Sequence, residues 1–357
     1  MGNLQRFKHR AKGFAREVYA RALFHSGLHR LVNRFMPARL TILAGHCVSG
    51  PSNSALPKDM KIRAEDLERI LSFLELHFEL VTVGAGVRRL GSGPRRSMVA
   101  LSMDDGYKDN HTLLLPLLER VGCRATVYLE SAPLDERSVN WTHKFFHALD
   151  QLGPERFVER YCALSRDAQA NARLAEHRNG SARAAYHLKR VLKYEVEPKE
   201  RTRVVDQLFK ECGGVERALC DTLYMNWEEA RALDAAGVEL GAHTVHHEIL
   251  SRLDADGCER EIAGSKAALE RGLGHPVESF AYPFGRHWDY HEPAKACAAA
   301  AGFASATNTH AGVNLPATGR MELRRIMIDE DARLHLIVAE ACGGFELLRR
   351  AGLDLSE

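Results

Sequence analysis

The chain predicts an α/β protein built on a parallel sheet, and three observations carry that expectation. Short apolar runs alternate with helical patterns along most of its length. Two of those runs close on polar, chemistry-bearing clusters instead of leading into polar loops. The composition, 45% hydrophobic and 27% charged over 357 residues, is ordinary for a globular protein. The length exceeds that of most domains, yet α/β barrels of about 250 residues commonly form one unit.

The elements follow in order. Residues 1–39 carry nine Lys/Arg (Arg6, Lys8, Arg10, Lys12, Arg16, Arg21, Arg30, Arg34, Arg39) against one acid, Glu17, a net +8. Leu4, Phe7, Ala11, Phe14, Val18 and Ala22 recur at three- and four-residue steps, which predicts a basic amphipathic helix. Leu40–Gly45 reads as the first strand, Ala64–Phe78 as a helix, and Met98–Met103 as the second strand. Asn110–Val121 reads as a helix stopped by Gly122, and Ala125–Leu129 as the third strand. A helical insertion, about residues 142–222, interrupts the alternation. Beyond it come a helix at Trp227–Ala236, a strand leading to His243, and a helix at Cys258–Leu273. Ser279–Tyr282, Ala304–Thr307 and Leu323–Ile328 complete the strands. The expected division is a basic segment over 1–39, a catalytic domain over 40–335, and a helical tail over 336–357.

The chemistry concentrates in two clusters. Ser102-Met103-Asp104-Asp105-Gly106-Tyr107 follows the second strand, and Gly241-Ala242-His243-Thr244-Val245-His246-His247 follows the run Gly237–Leu240. A carboxylate pair and an i, i+4 histidine pair can supply three protein ligands. A catalytic zinc typically keeps three and leaves one position open for water, which becomes a nucleophile at neutral pH. Taken alone, Asp-Asp-Gly is more often a surface turn, and two histidines four apart are more often a solvated helix face. Their joint placement at strand ends is what makes the pattern specific. Asp104 and Asp105 are neighbours, so an extended chain would point them to opposite sides; a bend at the strand end is needed for both to line one cavity.

In these residues the chain resembles the polysaccharide deacetylases, carbohydrate esterase family four, with its NodB-homology domain. Asp104-Asp105-Gly106 is similar to the family's first motif, usually Thr-Phe-Asp-Asp-Gly. His243-Thr244-Val245-His246-His247 is similar to the second, and Phe280-Ala281-Tyr282-Pro283-Phe284-Gly285 to a variant of the third. The resemblance runs from Leu40 to Ile328. It implies a distorted (β/α)7 barrel with active-site residues at the C-terminal strand ends, where such barrels keep them. It further implies that Asp105, His243 and His247 hold one divalent metal, that Asp104 is the general base, and that the backbone N–H of Phe284 helps bind the oxyanion. Zinc is the expected ion; cobalt, nickel and iron remain open, since two His and one Asp do not select among them. Thr244 is expected to brace the histidine loop and His246 to face away.

Two departures bear on mechanism. Family members often carry a base-orienting arginine at the start of motif three; here Ala281 stands there, leaving Arg286 as a substitute or as a solvated loop residue. They also often carry a Leu-x-His near the C-terminus that protonates the leaving amine. The matching stretch here, Leu323-Arg324-Arg325-Ile326-Met327-Ile328, has no histidine. His46 is the favoured proton donor, with His143 and His310 as alternatives.

The expected activity is metal-dependent removal of an N-acetyl or other N-acyl group from an amino sugar of a polysaccharide or lipid-linked glycan. Deformylation, or hydrolysis of another linear amide, is the alternative within the same chemistry. A non-catalytic glycan-binding or membrane-scaffold protein is the alternative outside it. No run of about 18 apolar residues suggests a transmembrane helix, and the N-terminus lacks the apolar core of a signal peptide. The eight cysteines are scattered without a CxxC pair, so reduced thiols in a cytoplasmic protein are expected. The basic N-terminal helix would either lie on the anionic inner face of a membrane or pack on the domain. No nucleic-acid partner is expected, because no recognised module accompanies the short basic stripe.

Overall fold

The computed structural model describes residues 3–179, 183–353 and 355, with side chains described from residue 11 onward. The chain divides into two compact units. Met1–Ser131 with Leu223–Glu357 form one, and Ala132–Thr222 the other.

The larger unit is organised by parallel strands: β1 (Leu40–Gly45), β2 (Cys47–Val48), β3 (Lys61–Ile62), β4 (Glu79–Val81), β5 (Met98–Met103), β6 (Thr126–Leu129), β7 (Glu239–Ala242), β8 (Ser279–Ala281), β9 (Ser305–Thr307) and β10 (Ile326–Met327). The main sheet runs β10-β1-β5-β6-β7-β8-β9, with β4 paired beside the first half of β5. A parallel bridge from Thr307 to Leu323 links the β9 end to the segment entering β10. The result is the parallel α/β fold of a distorted (β/α)7 barrel. Strands buried on both faces read as continuous apolar runs, and β1 and β5 are buried throughout.

Register positions the chemistry. β1 and β5 pair along their full length, from Leu40 beside Met98 to Gly45 beside Met103. His46 and Asp104 therefore leave the sheet side by side, and the Asp104 N–H donates to Gly45 O at 2.9 Å. Leu129 lies beside Ala242, so Glu130 and His243 leave at the same level.

Most expected elements occupy their expected places, with strand ends trimmed by one to four residues. Two additions come from the stretch 79–91, which shows little periodicity: β4 and the helix Val83–Gly91. They are recruited by packing. Val83, Val87 and Leu90 join Leu40, Ile42, Met98 and Ala100 in one buried cluster. The helix expected over Asn110–Val121 begins as a π-helical turn, Asn110–Leu114, before the α-helix Leu115–Val121.

The N-terminal segment forms two helices, Asn3–His25 and Leu28–Phe35, joined by left-handed Gly27. They pack with the C-terminal helices Leu334–Ala341 and Gly344–Arg350. The Tyr19 hydroxyl donates to Gly344 O at 3.0 Å, and Glu17 pairs with His335 at 2.9 Å. Arg39 is buried and donates to the carbonyls of Ala341 and Cys342. The inward face is Tyr19, Ala20 and Leu23, whereas Ala11, Phe14, Val18 and Ala22 are exposed. The apolar stripe expected from the sequence thus faces outward. Its members Leu4 and Phe7, and the basic Arg6, Lys8 and Arg10, lie outside the described side chains.

The insertion unit is helical, with helices Trp141–Leu164, Ala168–Ala175, Ala184–Tyr194 and Pro198–Glu211. The first breaks at Gly153-Pro154, where Gly153 has φ 71°. Arg201 lies 4.3 Å over the Trp141 ring, and Lys144 bridges Asp206 and Glu216 at 2.9 and 2.8 Å. No described helix is long and apolar enough to cross a membrane.

Candidate metal centre and its base

Five described non-glycine residues have left-handed backbone: Asp105 (φ 72°), Arg137, Thr244 (φ 66°), His247 (φ 58°) and Phe284 (φ 61°). Four of them lie in the three motifs. Such conformations cost free energy and persist where the surrounding structure enforces them, often at functional sites. At Asp105 the consequence is direct. The turn breaks the strand's alternation, so two consecutive carboxylates are both buried at the end of β5. Gly106 continues the turn at φ 76°; a Cβ there would meet Leu129 Cδ2 at 2.7 Å.

Asp105, His243 and His247 come together, with ligand atoms within 4.8 Å of one another. Asp105 Oδ1 lies 3.4 Å from His243 Nε2 and 3.5 Å from His247 Nε2. Three ligands on a tetrahedral zinc, each at about 2.0–2.1 Å, would stand roughly 3.3–3.4 Å apart, so the spacing fits a metal. Asp105 Oδ1 is also buried without a hydrogen bond of good geometry, as a metal-facing oxygen would be. His243 Nδ1 lies 2.7 Å from Ala281 O. That carbonyl selects the Nδ1–H tautomer and leaves the Nε2 lone pair facing Asp105. Burial raises the Asp105 carboxyl, but His243, His247 and His46 outweigh it and hold it well below the usual range.

The second histidine loop is braced from outside. Thr244 Oγ1 accepts from the His247 N–H at 3.0 Å, as expected for that residue. Glu261, on the helix Ala255–Leu273, accepts from the Val245 and His246 N–H groups at 3.0 and 2.8 Å. Its other oxygen lies 2.8 Å from His246 Nδ1. His246 therefore turns to Glu261 with a half-exposed ring.

Asp104 is gripped by Arg325. The guanidinium donates to both carboxylate oxygens, at 2.6 and 2.8 Å, and to Asn308 O at 2.8 Å. Both residues are buried. Burial pushes the Asp104 carboxyl up, but the Arg325 charge and hydrogen bonds, with His243 and His46, bring it below its ordinary value. Arg286 is not the substitute for the missing motif-three arginine. It is exposed, its N–H donates to Asp289, and its side chain lies over Trp288. The arginine that does meet Asp104 stands just before β10, in the stretch noted for lacking a histidine. No local signal marks it: Arg324 and Arg325 enter the same strand, and only the fold brings Asp104 against the second of them.

Among the proton-donor candidates, His46 follows β1 and acts electrostatically on both Asp104 and Asp105. His310 lies on the turn after β9; its carbonyl accepts from the Arg325 N–H, and its ring lies 6.2 Å from that of Tyr290. His143 sits in the first turn of Trp141–Leu164, in the insertion unit. The Phe284 ring packs on His247 with centroids 4.6 Å apart, and its carbonyl accepts from Thr309 Oγ1 at 3.0 Å.

Residues 201–306 match the family model described as polysaccharide deacetylase. The fold matches solved structures of that kind. Over residues 201–306 the chain is similar to the polysaccharide deacetylases. A Streptococcus pyogenes deacetylase in complex with acetate aligns at TM-score 0.54 and 17% identity, over 86% of this chain and 99% of that one. A putative polysaccharide deacetylase from Bacillus anthracis aligns at 0.53 and 15%, over 85% and 69%. IcaB from Ammonifex degensii aligns at 0.53 and 16%, over 85% and 97%. At these identities the likeness establishes the deacetylase fold. No match is found among curated proteins.

Proposed function

We propose that the protein is a metal-dependent hydrolase that removes an N-acetyl or related N-acyl group from an amino sugar of a polysaccharide or lipid-linked glycan. The observation that carries this reading is the buried Asp105–His243–His247 triplet, with ligand atoms 3.4–3.5 Å from Asp105 Oδ1, beside an Asp104 clamped by Arg325. Asp105, His243 and His247 would hold a divalent ion, zinc by preference, which when bound supplies Lewis-acid activation of water and of the amide carbonyl.

The chain's own residues account for the proton movements. Asp104, ionised and held by two guanidinium donors, accepts a proton from the attacking water; such help is typically worth about 10²–10⁴-fold. The Phe284 N–H, on a strained turn against His247, donates to the developing oxyanion. His46, beside Asp104 at the strand ends, gives a proton to the leaving amine. The non-catalytic alternative rests on the missing motif-three arginine and the missing C-terminal histidine; the Arg325 guanidinium on both oxygens of Asp104 supports the catalytic reading against the first of these.

The test is acetate release from N-acetylated glycans and lipid-linked sugars, with and without chelator, alongside elemental analysis. Native protein should hold one divalent ion and release acetate. His243→Ala with His247→Ala should lose both. Equal stoichiometric metal in that variant would refute the ligand assignment, and release unaffected by metal removal would refute the mechanism.

A further inference from the structure

The two N-terminal helices leave apolar side chains on their outer faces as well as packing inward through Tyr19, Ala20, Leu23 and His29. On Asn3–His25, the residues meeting the rest of the unit include Arg16, Glu17, Tyr19 and Ala20, while Phe14 and Val18 are 73% and 49% exposed. On Leu28–Phe35, His29 is buried and Asn33 accepts from Arg39. Leu28, Leu31 and Phe35, at three- and four-residue steps on one stripe, are 51%, 53% and 81% exposed. Scattered exposed apolar residues are normal, but three on one stripe of an eight-residue helix are not.

Charge identifies what covers them. Arg30 and Arg34 are exposed and, four residues apart, run along the edge of the Leu31–Phe35 stripe. Neither makes a side-chain ion pair among the described residues. The whole 1–39 segment carries +8. A second copy docking stripe to stripe would add its own Arg30 and Arg34 to one contact, and the helix Leu28–Phe35 contains no acid to pair them. An anionic lipid surface satisfies both features, since the apolar side chains enter the interfacial region and the guanidinium groups meet the headgroups. We propose that Leu28, Leu31 and Phe35, flanked by Arg30 and Arg34, dock the protein on an anionic membrane.

The test is co-sedimentation of the full chain with vesicles of phosphatidylcholine alone or mixed with phosphatidylglycerol. Native protein should pellet with the mixed vesicles and be released by salt. Leu31→Asp with Phe35→Asp should weaken partition by about tenfold or more and leave the thermal midpoint unchanged, because both positions are exposed. Arg30→Glu with Arg34→Glu should weaken it about tenfold or more, whereas Arg30→Lys with Arg34→Lys should retain binding. Deleting the whole segment is the wrong test, because Tyr19, Leu23 and Arg39 belong to the packed unit. Failure to pellet with mixed vesicles, equal pelleting with neutral vesicles, or full binding by the Asp variant would overturn the proposal. So would a dimer in sedimentation velocity that the Asp variant dissolves, which would assign the surface to a second copy.

Discussion

Replacing Arg325 with Met keeps most of the side-chain volume and deletes the charge. Asp104 then loses two donors, now at 2.6 and 2.8 Å, at a site where Arg325 is fully buried and Asp104 nearly so. Removing one partner of a buried ion pair costs about 3–5 kcal/mol, because the other charge is left desolvated. Arg325→Met should therefore lower unfolding free energy by that amount near neutral pH. Asp104→Asn alone leaves a buried guanidinium short of an acceptor and should also destabilise. The double variant removes the stranded charge, so its cost should fall well below the sum of the two. A coupling of about 2–3 kcal/mol, at the upper end for interacting neighbours, is expected. Denaturant titrations of the four proteins give this cycle. Acetate release should fall by about 10²–10⁴-fold in Arg325→Met, since the base is no longer held, while metal content stays stoichiometric. Arg325→Lys should recover part of the stability and less of the turnover, because an ammonium restores charge without the two-pronged fork. Additive single costs, or native turnover in Arg325→Met, would refute Arg325 as the residue that holds the base.

Three other expectations follow from the same geometry. Glu261→Ala strips an acceptor from the Val245 and His246 N–H groups, so metal affinity should fall about 10–100-fold by competitive chelation, with the ligands themselves intact. His46→Ala should slow acetate release while metal stoichiometry persists; native turnover would move the proton donor to His143 or His310. Asp109, which accepts from the Val48 N–H and Asn53 beneath the His46 loop, is raised by burial to about 6. A folded pKa above the unfolded one means its ionisation costs stability progressively as pH rises from about 4 to about 6. Asp109→Asn cannot ionise, so thermal melts should show its stability relative to native improving across that window by on the order of 2 kcal/mol.

The sequence by itself determined most of the sheet and pointed to the grouping of Asp105, His243 and His247. β1 and β5 fall where continuous apolar runs place them, because a strand buried on both faces announces itself in composition. The Asp105–His243–His247 triplet was legible because its members sit in short motifs at strand ends, and a parallel sheet gathers such ends at one rim. Tertiary structure decided what depends on remote partners. The guanidinium on Asp104 comes from 221 residues away, and nothing local in Leu323–Ile328 distinguishes a buried arginine from a solvated one. Left-handed backbone at Asp105 resolved how adjacent carboxylates are buried together, which strand periodicity alone forbids. The basic N-terminal helix was also legible as a helix, but which of its faces packs depends on the C-terminal helices and Arg39. Periodicity records that a stripe is apolar; only the surface brought against the opposite side reveals that the stripe was left facing out.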